Sequence, residues 1–237
     1  MIIMTLYTNY SGPFMTLSIL LPIIVCAFHY FTVGAKGVIL DANSNSIQRF
    51  SILERIYHFL RMLSFIIVAF TGIYLVFRAG GKTLGMTHSI NGIIFLLVSI
   101  LSLFIWSKPS LFKGYDKLWL KSLGGYLSAD EIPLPAGKFN AGQKIFFWLS
   151  TLFAVILAVS GGILIRGFIT QTQVSGSILV IHGITAALTI ISVMGHVYLS
   201  LWVNKGTWRV LTGGKVSEAW AKCHHPNWEI NNQSQEA

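Results

Sequence analysis

Long apolar stretches alternate with shorter polar connections along the 237 residues of the chain. Five stretches reach the roughly 20 mostly apolar residues that a helix needs to cross the core of a bilayer. They contain no Asp, Glu or Lys, and their only Arg is Arg61. Strands of a membrane β-barrel would be shorter, with alternating polarity. The pattern therefore predicts an all-α, polytopic transmembrane helical bundle with spans at residues 14–33, 58–77, 88–106, 146–165 and 178–203.

The segments outside the later spans are less regular. Residues 111–126 mix Lys with Leu, Trp and Tyr, which favours a short amphipathic helix along the membrane surface. The stretch 129–137 contains Pro133 and Pro135 and is expected to be a loop. A signal peptide would begin with basic residues, but the first Lys is Lys36, so we expect the first span to be retained.

Composition agrees with a membrane protein. Hydrophobic residues make up 54% of the chain and charged residues only 11%, whereas about a quarter of a soluble domain is charged. This excludes a typical soluble enzyme as well as a disordered chain. The two cysteines, Cys26 and Cys223, lie too far apart to indicate a disulfide framework or an iron–sulfur motif.

The net charge of +9 indicates membrane orientation rather than a nucleic-acid partner. Among the 17 Lys and Arg residues, only Arg78, Lys82 and Arg166 fall on one side of the predicted bundle. The other 14 lie in segments 34–57, 107–145 and 204–237 or at Arg61. Because Lys and Arg accumulate on the cytoplasmic side, the bias predicts an outer N-terminus and a cytoplasmic C-terminus.

Two histidines of the fifth span define two depths in the membrane. His182 and His196 are 14 residues apart, so they share a helix face and lie about 21 Å apart along the axis. With the predicted orientation, His182 is in the outer half and His196 in the inner half. His88, at the outer end of the third span, pairs with His182 by depth, and His58, at the inner end of the second, pairs with His196.

Paired histidines on different helices are typical of b-type haem, which takes two axial imidazoles. Zinc usually needs three or four ligands, and a proton relay would need acidic residues, which these depths lack. We therefore predict two haems. The alternative is that the histidines are structural and hydrogen-bond neighbouring helices. His29, near the inner end of the first span, is expected to be interfacial, and no metal site is expected at His224 and His225.

Small residues occur in register with these histidines. Gly72 follows His58 by 14 residues, which places it at the depth of the outer haem, where a porphyrin needs room beside a helix. Ser102 stands in the same relation to His88 at the inner depth, and Gly161 and Gly162 interrupt the fourth span. Ordinary packing of small residues between helices would explain the glycines equally well, but not their register.

Several segments resemble the membrane-bound cytochrome b (gamma) subunit of bacterial formate dehydrogenases over roughly residues 50–230. The resemblance rests on segments 54–58 (ERIYH), 84–88 (LGMTH), 138–144 (KFNAGQK), 181–182, 196–198 and 214–226. It implies a four-helix cytochrome with two b haems, held by His88 with His182 near the periplasm and by His58 with His196 near the cytoplasm. It also implies a menaquinone pocket at Asn140, Gly142 and Gln143. The amides there could instead serve the start of a helix, with Asn140 as N-cap.

The resemblance further implies a function in the bacterial inner membrane. Electrons would pass from a periplasmic iron–sulfur (beta) subunit, which serves a molybdenum or tungsten catalytic (alpha) subunit, to menaquinone at the cytoplasmic side, generating membrane potential. The chain itself has no formate site. Residues 1–45 depart from the pattern as an extra N-terminal helix and linker, which leaves 46–237 as the dihaem domain.

Two other functions stay open on these residues. The histidines would also suit the cytochrome b of a nickel–iron hydrogenase or a thiosulfate reductase. The second alternative is a haem-free membrane anchor. A contact of the extra helix with the iron–sulfur subunit, or with a second copy of the complex, is a hypothesis.

Overall fold

The computed structural model describes residues 2–35, 46–78, 81–130, 132–204 and 207–228. These ranges do not include Lys36, Lys205, most of the first linker, or residue 45 at the predicted domain boundary between residues 45 and 46. The prediction of an all-helical bundle with five long apolar helices is confirmed. These helices are α1 (Ile2–Thr32), α2 (Ile52–Phe77), α3 (Lys82–Trp106), α5 (Ala141–Thr170) and α6 (Gly176–Tyr198).

Polar residues stabilise the start of α2, which begins before its apolar run. Before α2, the Ser51 N–H donates to Glu54 Oε2 over 2.9 Å, and the Glu54 N–H donates to Ser51 Oγ over 3.2 Å. This reciprocal capping box satisfies two backbone donors that a helix start leaves open. The C-terminal end of α6 continues into a π-helical turn at Leu199–Val203.

The long helices have the length and composition to cross a membrane. Many of their large apolar side chains are exposed, including Phe31, Phe70 and Phe104. A soluble protein rarely exposes contiguous apolar surface of this extent, whereas a lipid-facing helix requires it. The chain is therefore a multi-pass membrane protein.

The chain divides into two compact units. The first comprises Met1–Cys26, Tyr57–Leu103 and Leu149–Gly195, and its core includes Phe95, Ala154 and Ala187. The second comprises Ala27–Ile56, Phe104–Trp148 and His196–Ala237.

Short elements build the second unit. They are β1 (Ser46–Gln48), α4 (Asp116–Lys121), a 3-10 turn (Leu123–Gly125), α7 (Arg209–Gly213), β2 (Lys215–Ser217) and α8 (Glu218–His224). The helix α4 falls within the predicted amphipathic segment, but it buries Asp116 and Trp119. Trp119 packs with Leu134, Ala141 and Tyr126 in a small hydrophobic core.

The antiparallel pairing of β1 with β2 was not predicted. Ile47 pairs with Val216, and Gly214, at a φ of 71°, turns the chain into β2. Ser217 then caps α8 by accepting from the Trp220 N–H over 3.2 Å. Strands of three residues are too short to give a periodic signal.

Candidate haem-binding site

The first unit brings together His88 of α3 and His182 of α6, the two residues that the sequence paired in the outer half. Their ring centroids are 6.2 Å apart and their planes make an angle of 70°. Both rings are partly buried.

Each imidazole meets a hydroxyl from a different helix. Thr71 Oγ1 of α2 lies 2.9 Å from Nδ1 of His88. Ser160 Oγ of α5 lies 2.9 Å from Nδ1 of His182. Four helices thus build one arrangement, in which the same ring atom of each histidine has the same kind of partner.

The direction of these hydrogen bonds follows from the hydroxyl protons. Thr71 donates its proton to the Ile67 carbonyl over 2.6 Å, and Ser160 donates to the Ile156 carbonyl over 2.7 Å. Both hydroxyls must therefore accept from an N–H at Nδ1, because a hydroxyl has a single proton. In this tautomer Nε2 carries the lone pair, which is the state that a metal-ligating histidine needs.

Glycines make room for the two rings. A Cβ at Gly72 would lie 3.0 Å from Cε1 of His88, and a Cβ at Gly161 would lie 3.3 Å from Cε1 of His182. Thr71–Gly72 and Ser160–Gly161 are thus equivalent hydroxyl–glycine pairs, each facing one imidazole. At the neighbouring Gly162, a Cβ would meet nothing within 4 Å.

The arrangement fits a metal that takes two axial imidazoles. N–metal bonds of about 2.0–2.1 Å place the centres of two such rings roughly 6.3 Å apart, close to the observed 6.2 Å. Among the described residues, no three His, Cys, Asp or Glu side chains come together as a metal site. Two protein ligands are what a b-type haem requires and fewer than zinc usually takes.

The two histidines predicted at the inner depth lie in different units. His58 is on the part of α2 that belongs to the first unit. In the second unit, the ring of His196 stacks on Phe146 with centroids 4.4 Å apart and planes within 1° of parallel. The pairing of His58 with His196 stays a prediction.

Sequence reasoning treated Arg61 only as a topology signal and missed its surroundings. Its guanidinium donates to Ser150 Oγ of α5 over 3.0 Å and to Ser102 Oγ of α3 over 3.5 Å. It also lies 5.8 Å from the ring centre of Phe95. The buried Ser102, which was predicted to make room for the inner haem, thus accepts a hydrogen bond from Arg61.

The residues predicted to bind quinone form the start of α5. The Asn140 N–H donates to Gln143 Oε1 over 3.1 Å, and the Gln143 N–H donates to Asn140 Oδ1 over 2.9 Å. This is a capping box. The hydrogen bonds of both amide oxygens therefore agree with the alternative that these residues form the start of a helix. Gly142 leaves space for Trp119, whose ring would lie 2.6 Å from a Cβ at that position.

A buried ion pair fixes this helix start. Lys144 Nζ lies 2.8 Å from Asp116 Oδ2, and the two side chains are only 1% and 3% exposed. The same carboxylate oxygen accepts from the Lys113 N–H over 2.6 Å. No sequence pattern indicated this pairing of residues from α4 and α5.

His29 of α1 uses both ring nitrogens. Nε2 lies 2.6 Å from the Tyr126 carbonyl, which can only accept, so Nε2 carries the proton. Nδ1 lies 2.5 Å from Tyr198 Oη and accepts from that hydroxyl. His29 is therefore anchored within the second unit by two hydrogen bonds, where the sequence suggested only an interfacial residue.

The His-His-Pro tail is held by a buried arginine. Arg49 Nη2 lies 2.9 Å from Nε2 of His225, while Nδ1 of His225 lies 2.6 Å from the Gly137 carbonyl. Burial, with the Arg49 charge as a second cause, lowers the pKa of His225 well below its usual value. Burial also lowers the pKa of Arg49 to about 9, and Glu54 opposes that shift.

Comparison with known proteins identifies the family of the chain. Residues 49–214 match the family described as prokaryotic cytochrome b561. The chain is 31% identical over 196 residues to the formate dehydrogenase cytochrome b556(fdo) subunit of Escherichia coli K12, covering 78% of this chain and 92% of that protein.

Two further relatives have the same kind of name. The nitrate-inducible formate dehydrogenase cytochrome b556(Fdn) subunit of E. coli K12 is 30% identical over 201 residues, covering 79% of this chain and 92% of that protein. The formate dehydrogenase cytochrome b556 subunit of Haemophilus influenzae is 29% identical over 200 residues, covering 79% and 84%. The chain therefore belongs to the prokaryotic cytochrome b561 family, as a multi-pass membrane cytochrome b with an electron-transfer function.

Proposed function

We propose that the chain is the quinone-reducing cytochrome b subunit of a membrane-bound formate dehydrogenase. It would carry electrons from a periplasmic iron–sulfur subunit, served by a molybdenum or tungsten catalytic subunit, to menaquinone at the cytoplasmic side. His88 with His182 and His58 with His196 would hold two b haems. Bound there, haem supplies one-electron chemistry between ferric and ferrous iron.

The observation that supports this proposal most is the arrangement of His88 and His182. Their separation suits two ligands on one metal, and Thr71 and Ser160 hold both rings in the tautomer that presents Nε2. Hydroxyl partners of this kind orient a ligating histidine and raise its basicity. A purely structural histidine needs neither the facing imidazole nor the glycines beside both rings.

Quinone binding at the start of α5 rests on the resemblance and on unused hydrogen-bonding capacity. The capping box uses the amide oxygens of Asn140 and Gln143 and leaves their NH₂ groups as donors. Both side chains are partly exposed. These NH₂ groups would donate to a quinone carbonyl, while the Lys144–Asp116 pair keeps the helix start rigid.

The proposed orientation conserves energy. With the N-terminus in the periplasm and the C-terminus in the cytoplasm, electrons enter at the outer side and protons for quinone reduction come from the cytoplasm. Each charge moved against the membrane potential stores about 2.3 kcal/mol per 100 mV. The support for this orientation is the asymmetric distribution of Lys and Arg.

Residues 1–45 are proposed as an addition to the dihaem domain at 46–237. The match to the family begins at residue 49, after this segment. His29 gives the addition a function within the chain, since it binds Tyr198 and the Tyr126 carbonyl. A contact of α1 with the iron–sulfur subunit or with a second complex remains part of the proposal.

A haem count on the purified complex tests the proposal. A pyridine haemochrome assay should give about two b haems per chain, and His182→Ala should remove one and stop formate-dependent reduction of menaquinone. A count of zero in the wild type would establish a haem-free anchor instead. Loss of neither haem, or of both, in His182→Ala would contradict the ligand assignment.

The subunits that co-purify with the chain identify the electron donor. We expect a molybdenum or tungsten formate dehydrogenase and its iron–sulfur subunit, with the haems reduced by formate. Reduction by hydrogen but not by formate would instead establish a hydrogenase cytochrome b. Purification with a thiosulfate reductase would establish the other alternative.

A further inference from the structure

Arg61 is a cation inside a membrane-spanning helix whose contacts are neutral. Its guanidinium reaches the hydroxyls of Ser150 and Ser102 and the face of Phe95. Among the described residues, the three ion pairs join Glu54 to Lys138, Asp116 to Lys144 and Glu218 to Lys222. No described carboxylate therefore neutralises Arg61.

Hydroxyl groups do not balance this charge. A guanidinium offers five N–H donors in a planar fork, and two serine oxygens fill only part of that capacity. A charged group within the hydrocarbon region is costly, and such residues normally face a partner or a functional site. Arg61 is held from two sides by α3 and α5, so its position is fixed, while no carboxylate of the described residues balances its charge.

Arg61 lies one helical turn from a predicted haem ligand. His58 and Arg61 are three residues apart on α2, a spacing that places both side chains on neighbouring positions of one helix face. Ser102, which holds Arg61, lies at the depth where the sequence places the inner haem. The periphery of a haem carries two carboxylates, and the guanidinium fork matches a carboxylate with two parallel hydrogen bonds.

We propose that Arg61 binds a propionate carboxylate of the haem that His58 ligates. The proposal rests on the proposed function, because it requires that haem to be present. Ser102 and Ser150 would hold the guanidinium in place before the cofactor arrives. Arg61 is thus a positioning residue that also places a fixed positive charge beside one of the two haems.

Redox titration of the purified complex tests this contact. Arg61→Met should lower the midpoint potential of one haem and leave the other unchanged, because a nearby cation favours the less positive, reduced iron. That potential should also become more dependent on pH, because a propionate without its cation takes up a proton more readily. Arg61→Lys, which keeps the charge, should restore most of the potential.

Arg78→Gln is the control, because Arg78 is exposed at the other end of the same helix. We expect it to leave both potentials unchanged. If Arg61→Met loses one haem outright, Arg61→Lys decides: two retained haems support the contact. Loss of a haem in Arg61→Lys as well, with Arg78→Gln normal, overturns it.

Other outcomes separate this inference from the proposed function. Two haems in the wild type, with potentials unmoved in Arg61→Met, would overturn the propionate contact alone. Unmoved potentials with a loss of co-purified lipid phosphorus would identify a phospholipid phosphate as the partner instead. Absence of haem from the wild type would overturn both proposals.

Discussion

The imidazoles of His88 and His182 in the first unit each meet a neutral hydroxyl, whereas the imidazole of His225 in the second meets the guanidinium of Arg49. A hydroxyl at Nδ1 leaves Nε2 of each ring with its lone pair. His225 uses Nδ1 on the Gly137 carbonyl and Nε2 on Arg49, so it retains no nitrogen for a metal. The same residue type is thus prepared to bind in one unit and fixed as structure in the other.

The units also differ in charge. All three ion pairs of the described residues belong to the second unit, and one of them is almost completely buried. The polar groups that contact His88 and His182 in the first unit are neutral hydroxyls. Burying a charged pair carries a high desolvation cost, while neutral hydroxyls orient an imidazole without placing a charge beside it.

Breaking the buried ion pair should have the largest effect. Lys144→Met leaves Asp116 buried without a cation, which should destabilise the chain by about 3–5 kcal/mol. We expect little protein in membranes and a lowered Tm in detergent. The double variant Asp116→Leu with Lys144→Met should recover much of the loss.

The exposed pair provides a matched control for that experiment. Nζ of Lys222 lies 2.7 Å from Oε1 of Glu218, but the Lys222 side chain is 70% exposed. Lys222→Met should therefore lower the free energy of unfolding by less than about 1 kcal/mol. Equal losses in Lys144→Met and Lys222→Met would show that burial of charge does not distinguish the pairs.

Filling the space beside His182 should remove one haem. In Gly161→Val the side chain would press on the imidazole, since even a Cβ lies 3.3 Å from Cε1. A Cβ at Gly162, one residue further on, would meet nothing within 4 Å, so Gly162→Val should keep both haems. A pyridine haemochrome count on the two variants compares them directly, and equal counts would contradict this function of Gly161.

Removing a hydroxyl should weaken haem binding rather than abolish it. Ser160→Ala and Thr71→Val each delete the acceptor at Nδ1, a type of change that typically costs 10–100-fold in metal affinity. The rate at which haem is lost to a competing apo-globin measures this effect. Ser192→Ala is the control, because Ser192 is partly exposed and its hydroxyl donates to the Leu188 carbonyl of its own helix. The idea fails if all three variants lose haem at the wild-type rate.

Acid should destabilise the second unit through His225. Since the pKa of His225 is lowered in the folded state, only the unfolded chain binds a proton as pH falls below about 6.5, and stability falls with it. The slope is at most about 1.4 kcal/mol per pH unit. The Tm at pH 7.5 and 5.5 should differ less in His225→Gln than in the wild type or His224→Gln. An unchanged difference in His225→Gln would assign the acid sensitivity to another group.

The smallest expected effect on stability comes from variants that distinguish helix capping from quinone binding by Asn140 and Gln143. Asn140→Asp keeps an oxygen that caps α5, so Tm should change little, by less than about 0.5 kcal/mol in stability. It removes the NH₂ donor, so the KM for a menaquinone analogue should rise, and Gln143→Glu should act in the same way. A normal KM in both variants would leave these residues with the helix start alone.

The sequence was sufficient to predict the five helices and the meeting of His88 with His182, because apolar length and helical rise are local and periodic. It could not identify Thr71 and Ser160 as imidazole partners, since an isolated hydroxyl in an apolar helix has no distinctive spacing. Arg61 with its two serines, Asp116 with Lys144 and Arg49 with His225 all join distant segments. Such pairs depend on how the elements pack, which a single sequence does not record.

The hydroxyl–imidazole contacts also bear on biogenesis. A metal usually displaces a proton from its ligand, which makes loading depend on the acidity of the surroundings. Here Thr71 and Ser160 hold the only proton of each ring on Nδ1, which leaves Nε2 with its lone pair. Under the proposed function, insertion of haem at His88 and His182 would require no proton release into the bilayer, and a helix bundle made first and loaded later would need no rearrangement of protons to mature.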